Sequence, residues 1–75
     1  MAIGKLMQHQ LEEILSAGAA LELSAKGRMP SQLIDLAKCA KRGGSHLTLT
    51  DAGEILHHLL LEIARDGQGH VTLKD

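Results

Sequence analysis

One pattern occurs twice in this chain. Gly43-Gly44-Ser45-His46-Leu47-Thr48-Leu49-Thr50-Asp51 returns as Gly67-Gln68-Gly69-His70-Val71-Thr72-Leu73-Lys74-Asp75, 24 residues later. The same step places Leu36 on Leu60 and Ala40 on Ala64. Each copy follows an apolar stretch of helical periodicity, passes through glycine, and then alternates apolar and polar residues as a half-buried strand does. A looser first copy aligns Leu21 with Leu47 and Leu23 with Leu49, at a step of 26.

The chain therefore reads as a single domain, 1–75, of three helix–strand units at about 3–25, 30–50 and 51–75. That period lies in the range of α/β solenoids. Leucine-rich repeats have comparable units, but their asparagine-containing consensus is absent here, so the analogy is one of architecture only. The alternation also selects a topology. Helices on both faces of a parallel sheet leave strands that are apolar throughout. Here Thr48, Thr50, Thr72 and Lys74 alternate with Leu47, Leu49, Val71 and Leu73. One face is polar, so all helices belong on the other. Right-handed crossovers then give a three-stranded parallel sheet in the order 1-2-3.

The first helix is expected over 3–17, with Ile3, Leu6, Met7, Leu11, Ile14 and Leu15 as its apolar stripe and Gly18 as its stop. Leu21-Glu22-Leu23-Ser24 could continue that helix, but its alternation favours a strand. Pro30 suits the first turn of the second helix, where its missing N–H costs nothing. Leu33, Leu36, Ala37 and Ala40 form the inward stripe, with Ile34 and Cys39 at its edges. Asp51 and Glu54 have the spacing of a capping box. They predict a third helix directly after Asp51, with Ile55, Leu56, Leu59, Leu60, Ile63 and Ala64 inward and Gly67 as its stop.

Composition narrows the function. The 75 residues include no Phe, Tyr or Trp and carry a net charge of −1. The core must be aliphatic, and both stacking platforms and a general basic stripe for nucleic acid are missing. Cys39 is the sole cysteine, which excludes an internal disulfide and points to a reducing, cytoplasmic location. No apolar run is long enough for a membrane span.

The polar sheet face should carry three columns: Ala20–His46–His70, Glu22–Thr48–Thr72 and Ser24–Thr50–Lys74. We read Glu22, His46, Thr48, Thr50, His70, Thr72 and Lys74 as an interaction face for a protein partner or a second copy of the chain. His46 and His70 on adjacent strands could also share a metal ion, although a closed zinc site usually takes four ligands. Cys39 aligns with Ile63 and so reads as a small core residue. His57 and His58 are neighbours on a helix and do not face one another. With Leu61 they form a second candidate surface. The glycines precede strands, unlike those of phosphate loops, and no Gly-x-Ser-x-Gly elbow occurs. The reading is a non-catalytic interaction module without a cofactor. Its rivals are a histidine-based metal-binding or sensing protein, and a small enzyme or a nucleic-acid factor using Lys38, Lys41 and Arg42.

Overall fold

The computed structural model describes residues 7–75. The order of elements is α1 (Gln8–Ser16), β1 (Leu21–Ser24), α2 (Pro30–Gly43), β2 (Leu47–Thr50), a 3-10 turn (Ala52–Glu54), α3 (His57–Gly67) and β3 (Val71–Leu73). The three strands form one sheet in the order β1-β2-β3, and both pairings are parallel. Leu21 pairs with Leu47 and Leu47 with Val71; Leu23 pairs with Leu49 and Leu49 with Leu73. The alternation in the sequence thus becomes two aliphatic ladders on one face. On the other face, Glu22, Thr48 and Thr72 fall in one row.

The ladders are covered by helices on one side only. Leu11 and Leu15 of α1, Leu33, Leu36 and Ala40 of α2, and Ile63 of α3 are buried in one cluster with Leu21, Leu23, Leu47 and Leu49. Pro30 is the first residue of α2, and Gly44 ends that helix in the left-handed conformation at φ 66°. Lys41 and Arg42 occupy its last turn, where positive charge complements the helix dipole. Cys39 is buried, as its alignment with buried Ile63 implies.

Four expectations about helix ends and faces change. Ile3 and Leu6 lie outside the described residues, and Met7 is the exposed residue before α1 rather than part of its inward stripe. Asp51 and Glu54 form no capping box. Asp51 takes the left-handed conformation at φ 57° and leads into the 3-10 turn, so α3 starts only at His57. With that five-residue delay Leu56 and Ala64 do not face inward, and both are exposed. Lastly, Gly67 does not supply the left-handed stop of α3; Gln68 does, at φ 44°.

Gly43 and Gly67 hold equivalent places for a different reason, which is close approach. A Cβ on Gly43 would fall on the Leu15 carbonyl oxygen, with Ser16 O only 2.7 Å away. Glycine therefore lets the end of α1 lie against the end of α2. Ser45 completes this junction. Its buried hydroxyl donates to Leu15 O at 2.8 Å, and its backbone N–H donates to Ala40 O at 2.9 Å. One residue thus satisfies carbonyls at the ends of two helices, where intrahelical partners run out.

The ladders are not buried evenly. Leu23 is 3% exposed and Leu49 0%, but Leu73 is 38% exposed. Val71 is half-buried where Leu47 is fully buried. The β1 end is closed by α1. Among the described residues no helix closes the outer side of β3.

Three substitutions test this packing. Leu49→Ala is expected to cost about 2–5 kcal/mol in urea unfolding, the range for a fully buried leucine. Gly43→Ala should destabilise by about 1–3 kcal/mol, because backbone carbonyls cannot yield. Gly67→Ala should cost less. Its added Cβ meets the Val71 side chain at the open edge, which can move. Equal effects at the two glycines would show that the α1–α2 junction is not tight.

Candidate functional site

Parallel pairing in register brings the expected polar residues together on the uncovered face. Glu22, Thr72 and Lys74 are exposed, and His46, Thr48, Thr50 and His70 are half-buried. The half-buried members lie on the central strand or next to it, where flanking side chains shield them. The face is not a set of independent solvated groups. His46 Nε2 lies 2.5 Å from Thr72 Oγ1, a diagonal contact from the residue before β2 to β3. His70 Nδ1 donates to Ser45 O at 2.7 Å; a carbonyl only accepts, so Nδ1 carries the proton. At the other end of the strands, Ser24 Oγ donates to Asp51 Oδ2 at 2.6 Å and accepts from Lys26 N–H at 3.1 Å.

These bonds bear on the metal reading. His46 and His70 are adjacent across the sheet, but each ring has one nitrogen engaged by the chain itself. An ion bridging them would have to take His46 Nε2 from Thr72 or approach by its other nitrogen. Among the described residues, no group of three or more His, Cys, Asp and Glu could hold a metal ion. Glu22 remains one row further along, beside Thr48. Cys39 is buried in the core and does not reach the face.

The basic residues gather elsewhere. Lys38, Lys41 and Arg42 line an open cleft of about 450 Å³ at the C-terminal ends of α2 and α3, together with Asp66 and Gln68. Asp66 offsets part of the charge there. His57, His58 and Leu61 are exposed on α3, as expected for a surface patch.

The backbone of β3 completes the site. Lys74 N–H donates to Leu49 O and His70 O accepts from Leu47 N–H, both at 2.8 Å. Parallel pairing uses alternate residues, so the even-numbered residues of β3 bond to β2. The N–H and C=O groups of Val71 and Leu73 consequently point to the open edge. Their side chains stand on the core face, next to half-buried Leu60; Leu60 and Leu73 line one shallow concavity of about 190 Å³. Edge, apolar rungs and polar face thus meet along one strand.

Sequence reasoning missed Ser45, whose hydroxyl looked unremarkable beside two glycines. It also missed the tie from Ser24 to Asp51, which depends on the left-handed Asp51. The sequence does hold a signal for the exposed methionine before α2: Pro30 marks the first helical position, so Met29 must be the residue preceding it. Scans against protein-family models, curated proteins and solved structures each returned no match.

The His70 bond gives a direct prediction. Nitrogen NMR of the neutral imidazole should show the Nδ1–H tautomer for His70. A dominant Nε2–H tautomer would contradict the bond to Ser45 O.

Proposed function

We propose that the protein is a cytoplasmic, non-catalytic interaction module. It binds a protein partner, in the first instance a second copy of itself, by adding a strand to β3. The polar face that continues from that edge, from Thr72 and Lys74 to Thr48 and Glu22, is the surface such an assembly extends. No helix among the described residues is long and apolar enough to cross a membrane. This is consistent with a module working in water.

One observation carries the reading: the third rung of the ladder is open. Leu73 is 38% exposed while the equivalent Leu49 is fully buried, and the outward polar groups of Val71 and Leu73 face the same opening. Unpaired strand edges are ready templates for another chain, and natural proteins usually block them or use them. Neither Lys74 nor Asp75, the two residues after Leu73, is a proline that would block pairing. The strand is also self-complementary. Antiparallel pairing about a two-fold axis at Thr72 sets Val71 opposite Leu73 of the second copy and Leu73 opposite its Val71. Apolar residues meet on the core face, and Thr72 meets Thr72 on the polar face. Such cross-strand pairs are the unit of sheet stabilisation. A domain of this size also gains from association, because it buries only about 60% of its unfolded surface alone.

Sedimentation across the micromolar range should show a dimer that dissociates on dilution. Val71→Pro removes an outward N–H without removing a bond to β2, so the variant should be monomeric with its helical circular dichroism retained. A wild-type chain that is monomeric at every concentration would overturn self-association.

A further inference from the structure

The three described α-helices share a feature that helix stability does not explain. The residue before each is large, apolar and exposed: Met7 at 65%, Met29 at 64% and Leu56 at 63%. That position favours Ser, Thr, Asp or Asn, whose side chain caps the first turn. None of the three makes a side-chain cap. The N–H groups of Met7 and Met29 are met instead by Gln10 and Gln32, at 2.9 and 3.0 Å. The helices run parallel, since each leads into a strand of one parallel sheet. The three residues therefore lie at one rim, at the N-terminal ends of neighbouring helices. A local rule broken in the same way three times, with no packing gained, marks a surface kept for function.

Beside this row lies a groove of about 230 Å³ between the N-terminal ends of α2 and α3. Its floor is apolar, made by Pro30, Leu33, Ile55 and Leu59, and Leu56 stands at its edge. Its walls differ in charge. Lys26 and Arg28 flank the α2 side, where no acidic residue sits in the first turn. Asp51 and Glu54 flank the α3 side, and the Asp51 carboxylate is already engaged by Ser24. A concave, apolar-floored groove between walls of opposite charge is unsuited to a bilayer, which needs a convex apolar surface and is repelled by carboxylates when anionic. It suits a polypeptide.

We propose that this groove docks a segment of another protein that presents an apolar side chain flanked by a carboxylate. The apolar side chain enters between Pro30 and Ile55, the row of Met29 and Leu56 covers it, and the carboxylate meets Lys26. The site is separate from the β3 edge.

The test uses two fluorescent 15-residue probes with leucine at every third or fourth position: one with glutamate at the other positions, one with lysine. Anisotropy should show saturable binding of the glutamate peptide and much weaker binding of the lysine peptide. Met29→Ser with Leu56→Ser should weaken the glutamate peptide at least tenfold, and Lys26→Glu should also weaken it. The double variant keeps or raises its melting temperature, because serine is the better residue before a helix, so lost binding cannot be blamed on misfolding. Val71→Pro, which blocks pairing at the β3 edge, should leave peptide binding unchanged. The proposal is overturned if the glutamate peptide does not saturate below about 1 mM, if the lysine peptide binds equally, or if the double variant binds as well as the wild type. Binding of phosphatidylserine vesicles that the same double variant abolishes would assign the row to a membrane and overturn it too.

Discussion

The in-register parallel pairing of β2 with both neighbours is the constraint on which the rest depends. With a side-chain period of two, it decides at once that Leu47 and Leu49 lie beneath the helices and that His46, Thr48 and Thr50 lie on the bare face. A slip of one residue would exchange these sets and bury two threonines and a histidine. The junction at Gly43 and Ser45 fixes that register from outside the sheet. It holds the ends of α1 and α2 together, and its bond from His70 to Ser45 O links the third unit to the second. The strands are only three or four residues long, so correct alignment cannot come from their length alone.

Uneven closure follows from the same arrangement. β2, with α2 and α3 over it, has no exposed rung. β1 has α1 to close its end. β3 has helical cover on its inner side only, which leaves Leu73 and Leu60 partly open and the outward amides of Val71 and Leu73 unpaired within the described chain. In a stacked architecture stability is close to a sum over units and their interfaces. The third unit, with the least helical cover, adds the smallest interface to that sum.

Much of this was legible in the sequence. The 24-residue step set strand order, direction and register, because a periodic pattern of side chains reports the periodic backbone beneath it. The same step placed Cys39 in the core through its equivalence to Ile63. The start of α3 was not legible. Asp51 and Glu54 have the spacing of a helix start, yet Asp51 tolerates the left-handed region and sends the chain into a short 3-10 turn first. Moving the start to His57 reversed the expected faces of Leu56 and Ala64. The glycines also have two uses that sequence cannot separate: Gly44 supplies a positive φ, whereas Gly43 and Gly67 supply room. Of the site, the residues of the polar face were legible from alternation. Their mutual bonds, and the row of apolar residues before the helices, required side-chain positions.

Amide exchange in β3 tests the edge role most directly. Thr72 and Lys74 direct their N–H groups at β2, while those of Val71 and Leu73 point outward. At low concentration the first pair should exchange slowly and the second pair fast. Raising the concentration should slow Val71 and Leu73 towards the rates of their neighbours, because a second strand then accepts their protons. Fast exchange at Val71 and Leu73 at every concentration would contradict the use of this edge in self-association. Slow exchange of all four amides at high dilution would contradict the open edge itself.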